Sequence, residues 1–443
     1  MPKILKHMLI SELYTLYCQH STITTDSRVC SPDSIFFALK GESFNGNAFA
    51  EKALQSGCAY AVIDDISFYT DNRMILVDDV LTALQKLAHM HRKTLKIPVV
   101  GITGTNGKTT TKELTAAVLS KKYNILYTQG NLNNHIGVPL TLLKLTHEHE
   151  IAVIEMGANH LGEIRDLSNI TQPDYGLITN VGYAHLEGFG SFEGVIKTKG
   201  ELYDFIRETG GKIFINRDNE YLTKIAGGIE QVNYSIAPDS IENTPFVGGK
   251  ITSRHPFLSF AWVHNGVQHN VTTQLVGDYN LYNILAAITI GTYFDVSSEQ
   301  INDAITNYKP TNNRSQFKKT EHNELIIDAY NANPSSMRAA LENFAYSNAG
   351  IKSLPKAIIL GDMRELGEKS QELHSEILKL AEASGFDKIL LCGEQFSDIG
   401  KEHICFPSVE ILDEFLKSNP LHNYHILIKG SHGVHLEKII DRL

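Results

Sequence analysis

The sequence predicts an α/β protein built from three consecutive domains, with a phosphate-binding domain in the middle. Short apolar runs alternate with helix-like segments along most of the chain, which is typical of parallel sheets covered by helices. A glycine-containing turn with Gly-Lys-Thr separates a strand pattern from a helix pattern within residues 99–119. A new strand starts near residue 96, and polar residues around Pro310 mark a second break. We therefore place the domains at 1–95, 96–309 and 310–443.

Composition excludes several classes of protein. The chain has 443 residues, of which 42% are hydrophobic and 20% charged, as in ordinary globular proteins. No apolar run approaches the roughly 18 residues that span a bilayer, and the first 20 residues favour an amphipathic helix over a signal peptide. Five scattered cysteines without a C-x-x-C pair fit the reducing cytoplasm. A net charge of −10 without a basic run argues against nucleic acid as a partner.

Three parts of the chain show different strand and helix patterns. Residues 1–95 alternate runs such as "SIFFAL" and "YAVID" with helical segments, which predicts a small α/β domain. Residues 246–274 alternate apolar and polar side chains, as antiparallel strands do. The last 130 or so residues repeat strand and helix through "ELIIDAY", "KAIILGDM", "DKILLCGE" and "HILIKGS". That repeat predicts a doubly wound, Rossmann-like parallel sheet.

The stretch "PVVGITGTNGKTTTKELTAAVL" predicts a nucleotide phosphate loop. The common pattern G-x-x-x-x-G-K-[ST] would require glycine at position 102, where the chain has Ile102. The chemistry needs only G-x-x-G-K-T between strand and helix, so Ile102 fits as the last strand residue. The helix dipole and backbone N–H groups then face the anion. The residues of the predicted loop are Gly104, Thr105, Asn106, Gly107, Lys108, Thr109 and Thr110.

Two further strand ends support a nucleotide site. Glu155 ends the apolar strand "IAVIE", where a carboxylate of a parallel sheet can hold Mg²⁺. His185 and Glu187 follow the next strand in a glycine-rich loop. An isolated Glu is more often a surface or capping residue, and an isolated His is usually structural. Their order after a phosphate loop favours function, and the absence of an N-K-x-D guanine motif favours adenine.

Nine motifs in order identify a resemblance. They are "GTNGKTT", "GNLNNHIGVPLTLL", "IEMGANHLGEI", "NVGYAHLEGFGS", "KTKGELY", "GDYNLYN", "DAYNANPSSM", "GDMRELG" and "IKGS". The chain resembles the Mur ligases of peptidoglycan synthesis over almost its whole length. It looks most like the member that adds D-alanyl-D-alanine to UDP-N-acetylmuramoyl-tripeptide.

The resemblance implies a UDP-binding first domain, a central ATPase domain and a Rossmann-like third domain. It implies that ATP phosphorylates the terminal carboxylate of the substrate, and that the incoming amine attacks the acyl phosphate. Two Mg²⁺ ions would be needed to hold so many negative oxygens together. We also expect a monomer in the cytoplasm.

The same resemblance suggests roles for single residues. Thr109 and Glu155 would hold the first Mg²⁺, and His185 the second. Lys199 fits the family spacing for a lysine that CO₂ carbamylates, so it would supply an anionic oxygen to the second ion; Lys197 is the fallback. An ordinary solvated helix lysine and a direct phosphate ligand are the other interpretations of Lys199.

The remaining assignments concern nucleotide and substrate. Asn280 and Asn283 match adenine-contacting asparagines, although Asn280 also suits a helix cap. Asp328 matches a ribose-binding residue, with Tyr330, Asn331 and Asn333 in the same motif. Arg314 matches an arginine near the phosphates, although "NNRSQ" departs from the usual Gly-Arg. The matches to substrate-binding positions are Asp26, Ser27 and Arg28 on the uridine side and Asn133 and Asn134 on the muramoyl side. Lys429 and Ser431 match a motif that is either structural or on the amine side.

The sequence alone leaves other functions open. A Mur ligase for the third stem residue would carry D-N-P-R in its last domain, and the chain has none. A folylpolyglutamate synthetase shares the central fold without a separate UDP-binding domain. An ATP-driven switch or scaffold would need the loop but not His185, Lys199 and Asp328.

Overall fold

The computed structural model describes residues 7–236, 245–254, 257–346 and 354–443. The chain forms two compact units, each assembled from several segments. The first unit consists of residues 1–101, 123–157 and 163–175, and the second of residues 102–122, 158–162 and 176–443. This division does not correspond to limits at 95/96 and 309/310, and those exact domain limits stay predictions.

The N-terminal sheet has four parallel strands in the order β1-β2-β5-β6, and β3 and β4 form a small antiparallel ribbon. Its strands are β1 (Ile23–Thr24), β2 (Ile35–Phe37), β3 (Lys40–Gly41), β4 (Phe44–Asn45), β5 (Tyr60–Ile63) and β6 (Met74–Leu76). Its helices are α1 (Ile10–Gln19), α2 (Ala50–Gln55) and α3 (Val80–Leu95). The predicted N-terminal helix therefore begins at Ile10; residues 1–6 of that prediction lie outside the described residues.

Local sequence explains why α3 forms where it does. Asp79 is the N-cap, and its side chain accepts a hydrogen bond of 2.7 Å from the backbone N–H of Thr82. Apolar residues at helical spacing, including Leu84 and Leu87, bury one face. Lys96 takes a left-handed conformation directly after the helix and ends it.

The middle sheet has nine strands in the order β15-β14-β13-β12-β11-β10-β7-β9-β8. Its strands are β7 (Val99–Thr103), β8 (Ile125–Tyr127), β9 (Ile151–Glu155), β10 (Tyr175–Ile178), β11 (Lys212–Asn216), β12 (Glu230–Ser235), β13 (Val247–Ser253), β14 (Ser259–His264) and β15 (Val267–Thr272). Its helices are α4 (Lys108–Leu119), α5 (Gly137–Leu142), α6 (Glu163–Thr171), α7 (Leu186–Phe189), α8 (Phe192–Thr209), α9 (Glu220–Ile225), α10 (Asn280–Tyr293) and α11 (Ser298–Asn307). The predicted antiparallel strands of residues 246–274 are confirmed as β13–β15; His255 and Pro256 lie outside the described residues.

The C-terminal sheet has six strands in the order β16-β17-β21-β18-β19-β20, and only the edge strand β16 is antiparallel to its neighbour. Its strands are β16 (Gln316–Lys319), β17 (Glu324–Asp328), β18 (Lys356–Gly361), β19 (Lys388–Cys392), β20 (Ile404–Phe406) and β21 (His425–Lys429). Its helices are α12 (Pro334–Tyr346), α13 (Ser370–Ala383), α14 (Glu394–Ile399) and α15 (Val409–Ser418).

Alternate residues of β17 enter two different hydrophobic cores. Leu325 and Ile327 pack into the core that includes Leu412 of α15. Ile326 packs into the opposite core, with Leu341 of α12. A strand buried on both faces requires helices on both sides of the sheet, so the predicted doubly wound architecture is confirmed. Among the described residues, no helix combines the length and apolar composition that crossing a membrane requires.

Candidate nucleotide and ligase site

The phosphate loop joins β7 to α4 through two glycines that no other residue could replace. Strand β7 continues to Thr103, so the prediction that Ile102 ends the strand is wrong by one residue. Gly104 has φ 140° and Gly107 has φ 77°, both in the left-handed region. A Cβ atom would lie 2.1 Å from Thr179 Oγ1 at Gly104 and 2.4 Å from Asn283 Oδ1 at Gly107. Backbone angle and lack of space therefore both require glycine.

Neighbouring strand ends hold the rest of the loop. The backbone N–H of Thr105 donates to the carbonyl of Asn180 at 2.9 Å, and that of Asn106 to the Asn180 side chain at 3.0 Å. The Lys108 ammonium folds back over the loop and donates to the carbonyls of Gly104 at 2.8 Å and Thr105 at 3.0 Å. Thr109 and Thr110 are buried in the first turn of α4. These contacts fix the shape of the loop and place a cation and the N-terminus of α4 at its opening.

Helix α10 packs its two asparagines against α4. The Thr111 hydroxyl donates to Asn283 Oδ1 at 3.1 Å, and Asn283 Nδ2 donates to Asn280 Oδ1 at 2.9 Å. Asn280 is the first residue of α10 and donates to the Val276 carbonyl at 2.7 Å, so it is not the N-cap. The two side chains share a face, as their spacing predicts, and they connect α10 to the helix that follows the phosphate loop. Their contact with adenine stays a prediction.

Glu155 and Asn133 lie together at the end of β9. Glu155 is 1% exposed, and its Oε1 accepts a hydrogen bond of 2.8 Å from Asn133 Nδ2. The side chain of Asn134 accepts from the backbone N–H groups of Ile136 and Gly137, where α5 begins. Asn133 therefore orients the predicted metal carboxylate, whereas Asn134 shapes the turn beside it.

His185 occupies a strained position at the start of α7. Its φ of 50° is left-handed, which is uncommon for a residue with a Cβ. Glu187, expected in a loop, lies in α7. The Nδ1 atom of His185 makes a short hydrogen bond to the Glu365 carboxylate, and this bond lowers the pKa of Glu365. The imidazole also meets the Phe189 ring edge to face, with centroids 6.0 Å apart.

The Phe189 ring that meets His185 also lies near Lys199. Lys199 lies in α8, is 1% exposed, and places its Nζ 5.1 Å from the centroid of Phe189. Its Nζ also donates to the Ala158 carbonyl at 3.4 Å. Lys197 is exposed on the same helix. The alternative of a solvated helix lysine at position 199 is therefore excluded, whereas the carbamate stays a prediction; the two residues assigned to the second metal ion share Phe189 as a neighbour.

The C-terminal sheet contributes a buried ion pair at the edge where Asp328 ends β17. Lys429 Nζ lies 2.6 Å from Asp328 Oδ2 and donates to the Asn331 carbonyl at 3.2 Å. Lys429 is 1% exposed. Arg314 stacks over the Tyr330 ring at 4.0 Å from its centroid. Among the described residues, the buried Arg314 Nε has no hydrogen-bond acceptor. Lys429 thus holds the loop after β17, and Arg314 has one uncommitted donor, its Nε.

That loop also touches the phosphate loop directly. Asn333 Nδ2 donates to Asn106 Oδ1 at 2.8 Å. The backbone N–H of Tyr183, close to His185, donates to the hydroxyl of Ser335 at 3.0 Å. Residues from the predicted central and C-terminal domains therefore meet at the phosphate loop, as a site shared by two domains requires.

The predicted uridine-side residues form a local pair on the first unit. Arg28 donates to the carboxylate of Asp26, with its Nη2 2.7 Å from Oδ2. This bond lowers the pKa of Asp26 to about 2. Ser27 is buried, whereas the Arg28 side chain is 80% exposed. The pair presents its guanidinium to solvent.

Three family models match the chain in succession. They are the Mur ligase family catalytic domain at residues 20–92, the Mur ligase middle domain at 102–291 and the Mur ligase glutamate ligase domain at 313–431. Together they account for most of the sequence. The chain belongs to the Mur ligase family.

Full-length relatives agree with this Mur ligase assignment. The UDP-N-acetylmuramoyl-tripeptide–D-alanyl-D-alanine ligase of Bacillus subtilis (strain 168) is 35% identical over 95% of this chain and 92% of its own length. The enzyme of the same name from Escherichia coli (strain K12) is 35% identical over 95% and 93%. Among solved structures, MurF from Acinetobacter baumannii is 30% identical with a TM-score of 0.83, covering 95% of this chain and 92% of that one. MurF ligase from Thermotoga maritima in complex with ADP is 25% identical with the same TM-score, covering 95% and 96%.

These findings confirm the three-domain α/β architecture and the enzyme class of this Mur ligase. It is an ATP-dependent ligase. Glu365 is the site residue that reasoning from sequence missed. Its motif "GDMRELG" was noted, but nothing in the motif indicates that one of its carboxylates reaches a histidine 180 positions earlier.

Proposed function

We propose that this Mur ligase joins D-alanyl-D-alanine to UDP-N-acetylmuramoyl-tripeptide in peptidoglycan precursor synthesis. The phosphate loop carries the proposal, because its strained glycines, its lysine and its contact with Asn333 form one site. The relatives with that name from Bacillus subtilis and Escherichia coli align over 92% and 93% of their own length. The UDP-sugar end would meet Asp26, Ser27 and Arg28, where an exposed guanidinium suits a diphosphate.

The residues at the phosphate loop account for the activation step. Backbone N–H groups of the loop, the N-terminus of α4 and Lys108 stabilise the negative charge of the transferring phosphoryl group. The terminal carboxylate of the tripeptide receives this phosphoryl group. The amine of D-alanyl-D-alanine then displaces phosphate and forms the amide. Arg314 and Asp328 would hold the nucleotide from the C-terminal side.

The donor set that we propose suits Mg²⁺. Glu155 is a buried carboxylate whose orientation Asn133 holds, and a buried carboxylate favours a partner cation. Within the described part of the chain, no three His, Cys, Asp or Glu side chains cluster as a metal site. Mg²⁺ needs no such cage, because it usually binds through one or two protein oxygens, phosphates and water. We assign Thr109 and Glu155 to a first ion and His185 and Lys199 to a second; the ions would neutralise phosphate charge.

We also propose that Lys199 is carbamylated. The neutral amine would add to CO₂ and release a proton, which converts a cation into an anionic oxygen ligand. Its near-complete burial and its contact with Phe189, the ring that His185 also meets, support the assignment, and Lys197 serves as the exposed comparison. With ¹³C-labelled bicarbonate, a carbamate NMR signal should be lost in Lys199→Ala and kept in Lys197→Ala. Short carboxylic acids should restore part of the activity of Lys199→Ala; neither signal nor rescue would mean that Lys199 acts as a cation.

One assay separates the candidate functions. Phosphate release from ATP should require both UDP-N-acetylmuramoyl-tripeptide and D-alanyl-D-alanine. Release with a dipeptide substrate and a free amino acid would indicate a ligase for the third stem residue, and release with folate and glutamate a folylpolyglutamate synthetase. ATP turnover without either acceptor would indicate a switch or scaffold. We propose in addition that the enzyme is monomeric and cytoplasmic, with free cysteines that suit a reducing compartment and no nucleic-acid partner.

A further inference from the structure

The segment "GDMRELG" at residues 361–367 is held tightly by the C-terminal domain. The Asp362 carboxylate accepts backbone N–H groups of Gln395 at 3.0 Å and Phe396 at 2.9 Å. The backbone N–H of Met363 donates to His374 Nε2 at 2.9 Å, and that of Arg364 to Ser431 Oγ at 3.1 Å. Three successive residues are thus fixed before the chain reaches Glu365.

Glu365, the next residue, has an unusual backbone conformation. Its φ of 62° is left-handed, and its carboxylate bonds Nδ1 of His185, whose own φ is 50°. Two non-glycine residues in left-handed conformations therefore face each other across the predicted domain boundary. Such conformations persist where the surrounding structure enforces them, and they concentrate at functional sites.

The contact decides which nitrogen of His185 is available. An ionised carboxylate only accepts hydrogen bonds, so Nδ1 must carry the hydrogen. The lone pair of the neutral imidazole then lies on Nε2. The Phe189 ring restricts the orientation of the His185 imidazole from a second side, because the two rings meet edge to face. The contacts with Glu365 and Phe189 thus define both the tautomer and the orientation of the imidazole.

We propose that Glu365 is a positioning residue for the second metal ion: it holds His185 so that Nε2 is the metal-binding atom. Carboxylates that accept the remaining N–H of a ligating histidine fix its tautomer and raise its basicity. Because Glu365 belongs to the C-terminal domain, that ion is bound at full strength only when this domain contacts the His185 loop. The inference rests on the proposed assignment of His185 to a metal ion.

The first test reads the tautomer without any metal. In protein labelled with ¹⁵N-histidine, His185 is assigned by comparison with His185→Asn, and long-range ¹H–¹⁵N spectra report which ring nitrogen is protonated. Wild type and Glu365→Gln should show the Nδ1–H form, since the Gln amide oxygen still accepts. Glu365→Ala should shift toward the Nε2–H form. Glu368→Ala is the matched control, because Glu368 is an exposed glutamate directly after the same segment. An unchanged tautomer in Glu365→Ala would overturn the inference.

The second test measures Mn²⁺ binding by electron paramagnetic resonance with a non-hydrolysable ATP analogue. Glu365→Ala should weaken the second Mn²⁺ site by about 10- to 100-fold, Glu365→Gln less, and Glu368→Ala not at all. Equal affinity in Glu365→Ala and wild type would overturn the role of Glu365 while leaving the metal assignment intact. A wild type whose Mn²⁺ binding does not differ from that of His185→Asn would instead refute the proposed metal site, and this inference with it.

Discussion

The phosphate loop and the Asp26–Arg28 loop are both predicted to meet a nucleotide, yet they are held in opposite ways. The phosphate loop depends on buried partners far away in sequence, such as Asn283 and Asn333. Asp26 and Arg28 are two positions apart, and their side chains are 39% and 80% exposed. Buried, distant contacts preorganise a geometry for catalysis, whereas an exposed local pair leaves a side chain able to adapt to its ligand.

Replacing Lys108, the cation of the phosphate loop, should have the largest effect on activity. Lys108→Ala should lower the rate of phosphate release by about 10³-fold, because the ammonium stabilises charge that develops on the transferring phosphoryl group. Its urea midpoint should stay at the wild-type value. Lys144→Ala removes an exposed lysine elsewhere and should be fully active. Turnover of Lys108→Ala within a few-fold of wild type would remove the basis for a phosphate loop.

Breaking the buried ion pair between Lys429 and Asp328 should have the second-largest effect. Lys429→Met leaves the Asp328 carboxylate without its cation and should destabilise the C-terminal sheet by about 3 kcal/mol. Hydrogen exchange of β17 and β21 measures this loss locally. The double variant Asp328→Asn/Lys429→Met should recover most of it, since no buried charge remains. A double variant as unstable as the single one would show that Lys429 acts through packing instead.

The contact between Asn333 and Asn106 should have a smaller effect. Asn333→Ser keeps an oxygen that can accept the Ser336 N–H at the start of α12 but cannot reach Asn106. Losing one hydrogen bond of about 1 kcal/mol should raise the KM for ATP roughly fivefold with little change in stability. Steady-state kinetics at saturating second substrates measure this. An unchanged KM for ATP would mean that the loop holds its shape without the C-terminal domain.

Removing Arg28 from the exposed Asp26–Arg28 pair should have the smallest effect. It should change the KM for the UDP substrate and not the KM for ATP. Arg28→Ala should raise the KM for the UDP substrate about threefold, since exposed ion pairs are weak, and leave the KM for ATP unchanged. Arg28 lowers the pKa of Asp26 from 3.8 to about 2, so what the pair adds to stability is present above pH 4 and fades as the pH falls toward 2. In Arg28→Ala the pKa of the Asp26 carboxyl, followed by ¹³C NMR, should rise toward its ordinary value but stay below it, because the backbone N–H of residue 28 still donates to the carboxylate. A changed KM for ATP would contradict the separation of the two loops.

Several features followed from sequence because their causes are local. Glycines at 104 and 107, a lysine and a run of threonines suffice to predict a loop between strand and helix. Alternation of period two predicted β13–β15, and repeated strand and helix patterns predicted the C-terminal sheet. The end of β7 was misplaced by one residue, because Thr103 suits a strand as well as a turn.

Contacts between residues that are far apart in the sequence could not be predicted in this way. Pattern alone left Lys199 open between a solvated lysine, a phosphate ligand and a carbamylated lysine, and Lys429 open between a structural and an amine-side role. Burial beside Phe189 excludes the solvated lysine, and the ion pair with Asp328 gives Lys429 a structural contact. The carbamate and the amine-side role stay predictions. Nothing in the sequence near Glu365 indicates His185 as its partner.

The sequence by itself determined the family, the alternation of strands and helices in the C-terminal sheet, and the strand–loop–helix turn that carries Lys108. Those depend on residue types at short, fixed spacings. Only the tertiary structure decided which side chains are buried together and which nitrogen of His185 faces a carboxylate. Such contacts depend on how sheets and helices pack, and a side chain 180 positions away enters a site only after that packing has formed.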